Sequence, residues 1–401
     1  MRRTFVPLWM ASAKQSRVPA FVFLYTIEAL CRVLPMTVVP LIANRMLGGA
    51  KEVSIVYFFV GAAALAACLL VPFAMRHLRR RGVITLGAIL YIAAAVCFSL
   101  PYTEALIVGL ICQMVAAACV EIAMSLFVMD HVPRQELGAF EPKRLLMVGA
   151  TFIIGPWAGI ELANGIDQIA PFILMGSFAA IFLAMFWFLR LTENPSVTQA
   201  FKQPPNPLTF LPTFFKQPRL RLAWGLALAR SSWWIMFFVY TPIFVTDLGF
   251  SERVAGMSVA LGTAAMLLMP MWGRIAKRKG TRVLLMSGYG IAGLLSIAVT
   301  AASYGGDIAP IWLPVAILVL AGVAATVIDG AGNVLFLRAV HPLERNEMTA
   351  VFTTYRQTAQ LIVPGALAAI LTVLPLAAVF GVGGLGFLAM TWLTSFIPKR
   401  M

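Results

Sequence analysis

Long apolar runs recur along the whole chain, separated only by short clusters of proline, glycine and charge. Twelve can be marked, near 19–43, 53–75, 83–101, 105–129, 144–165, 170–190, 220–247, 253–272, 283–302, 310–337, 348–373 and 375–397. A helix needs about 20 apolar residues to cross a bilayer, and each run is about that long. Apolar residues make up 61% of the chain and charged residues 12%, against roughly 45–50% and 25% in a soluble domain. Too little chain remains for a soluble enzyme on a single anchor. The alternating pattern of a transmembrane β-barrel would halve the apolar share, and disorder or a coiled coil is equally incompatible with it. The fold class predicted is an all-α polytopic membrane protein with twelve transmembrane helices.

The net charge of +15 would point to nucleic acid in a soluble protein. Sorted along this chain, it reports orientation instead. With the N-terminus placed in the cytoplasm, 25 of the 31 lysines and arginines fall on the cytoplasmic side, and three (Arg45, Lys51, Arg253) fall on the other. The remaining three lie inside runs. This asymmetry follows the positive-inside rule and puts both termini in the cytoplasm of a plasma (bacterial inner) membrane. Residues 1–18 read as a cytoplasmic lead-in and 191–219, which contains TENPSVTQAFKQPPNPLTF, as a proline-rich cytoplasmic linker. They flank six-helix units at 19–190 and 220–397. All five cysteines fall in apolar runs without metal or redox spacing.

The two units can be laid on each other. MRHLRRRG (Met75–Gly82) after the second run corresponds to GRIAKRKG (Gly273–Gly280) after the eighth, 198 residues later, and the same offset carries Arg32 onto Arg230. LGGAKEV (Leu47–Val53) corresponds to LGFSERV (Leu248–Val254). At an offset of 208, Glu121 falls on Asp329 and Ile154–Pro156 on Ile362–Pro364. Several matches in order, with a slow drift in offset, mark an internal repeat. Parallel six-helix repeats place a binding site between two pseudo-symmetric bundles near midplane.

The repeat and the loop sequence GRIAKRKGTR (Gly273–Arg282) resemble the major facilitator superfamily of transporters over essentially the whole chain. Within that loop Gly273, Gly280 and Arg282 match the family motif, but Lys277 and, in the first copy, Arg79 replace its acidic residue. Asp130 is a possible substitute for the missing negative charge. GATFIIGPWAG (Gly149–Gly159) is similar to the glycine-proline motif of the family's proton-coupled exporters, with Gly155, Pro156 and Gly159 at its core. Those exporters carry an arginine in the fourth span, where this chain has Glu121. Glycines in such a helix also serve close packing. The resemblance implies that spans one, four, seven and ten line a central cavity.

Six charges lie well inside runs: Glu28, Arg32, Glu121, Arg230, Asp329 and Arg356, while others such as Glu161 and Asp247 lie near the run ends. Each costs at least about 2.5–3.5 kcal/mol on insertion scales, so each is a candidate functional group. Counted from the run ends, five of them sit roughly 12–15 Å deep, close to the middle of the hydrocarbon core. Arg32 is one turn above Glu28. Three acids and three bases cancel. The acids could carry protons while the arginines bind a solute carboxylate or phosphate, or the six could be fixed structural pairs. Asn333 and Gln360 lie one turn from Asp329 and Arg356. Tyr25, Trp234 and Tyr355 are possible solute contacts, with Trp234 spaced to stack on Arg230. Pro35, Pro40, Pro242 and Pro364 are candidate kinks.

No Walker lysine motif, GxSxG elbow, HExxH helix or dinucleotide fingerprint occurs. The three histidines have no ligand spacing. No cofactor, metal, nucleotide or nucleic-acid partner is expected. The function expected is alternating-access secondary transport of a small organic solute by a monomer in the bilayer, coupled to protons, with export by antiport ahead of import of an organic anion. A membrane-embedded lipid-modifying enzyme is the competing class, and a transporter-like sensor a third.

Overall fold

The computed structural model describes residues 18–132, 134–189, 207–305, 309–332, 334–341 and 344–397. Segment 1–17 and linker residues 191–206 lie outside them. The described residues form helices and their connecting turns, with no strand among them. Eleven helices are long and apolar enough to cross a membrane: Val18–Leu47, Ala50–Val71, His77–Phe98, Thr103–Val128, Lys143–Gly165, Ala170–Phe188, Pro218–Asp247, Glu252–Ala276, Thr281–Ser303, Leu313–Phe336 and Ala377–Thr394. These are spans one to ten and span twelve.

Span eleven differs from its expected form. Where the sequence predicts one helix near 348–373, the chain forms Arg345–Phe352 and Tyr355–Ile370 with a turn at Thr353–Thr354. The second piece is 16 residues long and rises about 24 Å, nearly a full crossing. It packs against spans two and seven. With it the molecule is a twelve-helix multi-pass membrane protein of two pseudo-symmetric six-helix halves.

Three other spans are interrupted, each for a local reason. Span one breaks at Leu34, between Val18–Val33 and Pro35–Leu47, because Pro35 has no amide hydrogen and crowds the preceding turn. Span eight passes through a 3₁₀ stretch, Ala265–Leu268, ahead of Pro270. Span ten stops at Asp329, and a short helix resumes at Val334–Ala339. Pro40, Pro242 and Pro364 sit inside unbroken helices.

Turns between spans show where the repeat holds. Span eight ends on Gly280 with φ of 92°, a left-handed conformation that glycine adopts without penalty. The glycine 198 residues earlier, Gly82, does not play that part. Spans two and three run as one helical stretch, Ala50–Phe98, that reverses at Arg79, whose φ is 57°. Arg79 is the one described non-glycine residue with positive φ.

Both described ends, Val18 and Ile397, belong to one side of the bundle, here called the terminal side. Contacts between the halves on the opposite, far side include Arg45 Nη1 to Glu252 Oε1 at 2.9 Å, Arg253 Nε to Glu161 Oε1 at 3.4 Å and a 2.6 Å hydrogen bond between the Ser54 and Tyr240 hydroxyls. At midplane Thr263 Oγ1 donates to the Phe152 carbonyl at 3.0 Å. Spans five and eight also meet closely, since a Cβ on Gly256 would stand 3.2 Å from the Pro156 carbonyl oxygen.

Candidate functional site

Each of the six charges within the spans is held by a partner of opposite sign. In span one, the i,i+4 spacing brings Arg32 Nη2 to 3.0 Å from Glu28 Oε2. In the second half, Arg230 Nη1 of span seven lies 3.2 Å from Asp329 Oδ1 of span ten. Arg356 of span eleven pairs with Glu121 of span four, across the halves. The charges therefore cancel in pairs as well as in total.

The three pairs differ in burial, and so in what breaking them costs. Glu28 is 5% exposed at its side chain. Arg230 and Asp329 are 12% and 14% exposed. Removing one partner of a pair this buried costs about 3–5 kcal/mol, because the other charge is left without compensation. Arg356 and Glu121 are 48% and 44% exposed, so water in the space beside them screens this pair more than it does the two buried ones. Being half-exposed while joining the halves, they border the space between the two bundles. That pair is the cheapest of the three to separate.

Side chains around each pair complete its hydrogen bonds. Tyr91 of span three donates its hydroxyl to Glu28 Oε1 at 2.7 Å and is itself buried. Among the described residues Arg32 Nε is buried without a hydrogen-bond partner, an unused donor well inside span one. In the second half, Trp234 Nε1 donates to Asp329 Oδ2 at 2.9 Å, and Arg230 Nη2 donates to the Tyr355 hydroxyl at 3.1 Å. The guanidinium of Arg230 also lies 5.8 Å from the Tyr355 ring centroid. Thus the aromatic over Arg230 is Tyr355, and Trp234 instead stacks on Phe238 at 5.3 Å. Trp233, its neighbour, is core: buried, stacked on Phe237 and Phe387, and bonded to Ser296.

The break in span ten serves this second cluster. A Cβ at Gly332 would meet the Arg230 guanidinium where it now lies, so a side chain there would displace the arginine from its present path past the helix end to Asp329. A helix C-terminus carries partial negative charge and disfavours a carboxylate there; the adjacent guanidinium offsets it. Asn333 lies outside the described residues, as does the side chain of Asp130.

Other sequence-predicted residues take more structural places. Tyr25 is buried, with the Arg144 guanidinium 5.0 Å from its ring centroid and Phe140 against it. Gln360 Nε2 lies 3.9 Å from the Met114 sulfur, a weak link between spans eleven and four. Gly155 and Gly159 of span five face the kink in span one: a Cβ on Gly155 would strike the Val33 side chain, and one on Gly159 the Leu34 carbonyl. Gly273 comes near the Gly330 carbonyl, and Arg282 Nη1 donates to the Ile397 carbonyl at 3.3 Å. Tyr91 was not among the residues the sequence singled out. Its signal was the offset of 198, which carries Tyr91 onto Tyr289. Among the described residues no group of three or more metal-binding side chains occurs.

The fold recurs among solved structures. A POT family transporter in complex with 5-aminolevulinic acid superposes with a TM-score of 0.76, at 14% identity, over 94% of this chain and 95% of that one. The nucleoside transporter NupG superposes at 0.70, with 14% identity, over 94% and 98%. A D-xylose-proton symporter superposes at 0.72, with 14% identity, over 96% and 99%. At such identities the likeness is one of fold. No curated protein matches the sequence. The family profile described as Major Facilitator Superfamily matches residues 21–364, most of the chain, and the protein belongs to that superfamily of transporters.

Proposed function

We propose that the chain is a proton-coupled secondary transporter of a small organic solute bearing a carboxylate or phosphate. The observation that carries this is the set of three arginine–carboxylate pairs within the membrane, one of them joining the halves. Acids and bases that neutralise each other let the empty site exist in a medium where a lone charge is costly. An incoming anion displaces the carboxylate from its arginine, and the released carboxylate takes up a proton, so solute and proton move together. The half-exposed Glu121–Arg356 pair is the contact of this kind that can open in each cycle.

The charge asymmetry of the loops favours a cytoplasmic terminal side. Ion pairs and hydrogen bonds on the far side then close the site to the exterior, and the halves rock to reverse access. The arginines, as ligands for an organic anion entering from outside, favour import by symport. Export by antiport is the second reading, and the glycine-proline sequence Gly149–Gly159 favours it. The packing of Gly155 and Gly159 on the kink of span one accounts for those glycines without assigning a direction.

The test is transport of a panel of labelled organic acids, phosphates and amphipathic cations in right-side-out and inverted vesicles, with an imposed pH gradient. Accumulation in right-side-out vesicles that collapses with the gradient supports symport; accumulation in inverted vesicles supports antiport. Transport that persists without the gradient, or that survives Glu28→Gln, Glu121→Gln and Asp329→Asn with unchanged pH dependence, removes the proton from the mechanism.

A further inference from the structure

Away from the central site, a groove of about 720 Å³ opens on the outside of the first half, at the terminal side. It runs between the start of span three and the end of span six. Arg79 and Arg81 stand at its mouth, and Thr85, Leu86, Ile89 and Trp187 line its walls. We propose that this groove binds an anionic phospholipid, its phosphate held at Arg79 and Arg81 and an acyl chain lying along Leu86 and Ile89.

Several independent features point to a lipid rather than a free ion. Arg79 and Arg81, with Leu78 beside them, line the end of the groove nearest the turn, and Leu86, Ile89 and Trp187 line the rest. From Gly82 to Ile89 span three rises about 10 Å, from the headgroup level into hydrocarbon. Gly82, Leu86 and Ile89 fall on one helical face, and the missing side chain at Gly82 leaves space beside the arginines. Trp187, half-exposed, donates its indole N–H to Thr85 Oγ1 at 3.2 Å. The bond fixes the ring as a wall at the depth where tryptophan belts membranes. Arginines at the membrane edge attract anionic headgroups by about 1 kcal/mol each, and the guanidinium fork suits a phosphate.

Arg79 is exposed, makes no ion pair among the described residues, and holds a φ of 57°. A non-glycine residue in that region is strained, although Gly82, three residues on, could have supplied the turn. Reversing the chain at Arg79 keeps its side chain at the groove mouth.

Purified protein is reconstituted in vesicles of phosphatidylcholine with and without phosphatidylglycerol, extracted gently, and its retained lipid weighed by native mass spectrometry. Phosphatidylglycerol should be retained in preference to phosphatidylcholine, and Arg79→Gln should lower that preference about fivefold, the effect of one basic residue at the surface. Arg79→Gly should lower it equally while raising thermal stability in pure phosphatidylcholine, since glycine relieves the backbone. Arg338→Gln, on an exposed residue of the same side, should leave the preference intact. Equal retention of the two lipids by the wild type overturns the proposal. So does a preference that survives both Arg79 variants, falls equally with Arg338→Gln, or is competed away by inorganic phosphate at millimolar concentration.

Discussion

Tyr91 donates its hydroxyl to the Glu28 carboxylate across 2.7 Å and 63 residues of chain. In the second half Tyr289 donates to the main-chain carbonyl of Leu226 at 2.6 Å, again 63 residues away. Both residues of the second pair lie 198 positions beyond those of the first, so one bond between the first and third helices of a half has been kept in both. Only its acceptor differs: a carboxylate in one half, a peptide carbonyl in the other. In the second half the bond serves packing alone; in the first, Glu28 places a charge on it.

That difference predicts unequal effects. Tyr91→Phe leaves a buried carboxylate one donor short and should cost about 1.5–3 kcal/mol; Tyr289→Phe, losing a bond to a neutral carbonyl, should cost about 0.5–1.5 kcal/mol. Gradient-driven transport should fall about tenfold in the first and less than threefold in the second. Thermal unfolding and initial-rate uptake measured side by side check both. Equal losses in the two variants would make Glu28 a purely structural acceptor.

Trp234 and Asp329 allow a sharper test of the second cluster. Trp234→Phe keeps the stack on Phe238 but removes the 2.9 Å bond to Asp329. The Arg230–Asp329 pair remains, so stability should fall by only about 1.5–3 kcal/mol. Asp329→Asn leaves Arg230 buried without its counter-ion and should cost about 3–5 kcal/mol. If the pair is functional, the double variant Arg230→Gln/Asp329→Asn should recover stability and not transport. Differential scanning of the purified variants against their uptake rates separates the two.

Legibility in the sequence ended where geometry at the helix ends began. Length and apolarity of the runs led directly to twelve spans, because a helix in lipid must satisfy its own backbone. Depth within the runs picked out Glu28, Arg32, Glu121, Arg230, Asp329 and Arg356, since charge there is rare. Which arginine meets which acid could be read only for Glu28 and Arg32, four residues apart on one helix. Pairing Arg356 with Glu121 needs two helices from different halves, and sequence spacing carries no such information. That Tyr355 and not Trp234 lies over Arg230 was hidden for a related reason. Spacing of i and i+4 places Trp234 near Arg230, but Asp329 offers an acceptor for its indole N–H and draws it away. The turn at Arg79 instead of Gly82 was equally hidden, as residue type alone favours the glycine.

The span-five glycines separate packing from coupling. A Cβ at Gly159 would strike the Leu34 carbonyl, and a main-chain atom at a proline kink cannot swing aside as a side chain would. Gly159→Ala should therefore destabilise by about 1–3 kcal/mol and slow transport. Gly149→Ala meets only Met266 at 3.8 Å and should be nearly neutral. If thermal unfolding finds the two variants alike, the close approach of spans one and five contributes nothing.

Closure of the far side is the remaining consequence open to direct measurement. Arg45 and Glu252 link the halves there at 2.9 Å, well exposed on the arginine side. An exposed pair adds about 0–1 kcal/mol, so Arg45→Ala alone should leave the fold intact. Tying the same positions covalently is different, because rocking needs them to part. In Arg45→Cys/Glu252→Cys, a bis-methanethiosulfonate that spans the gap left by the two long side chains should join the cysteines and stop transport, and reduction should restore it. The native cysteines lie within spans and are buried or half-buried, so the wild type treated with the same reagent is the control and should keep its rate. A crosslinked double variant, verified by mass spectrometry of its peptides, that transports as fast as its reduced form would mean that this side need not open, and alternating access between the two halves would fail with it.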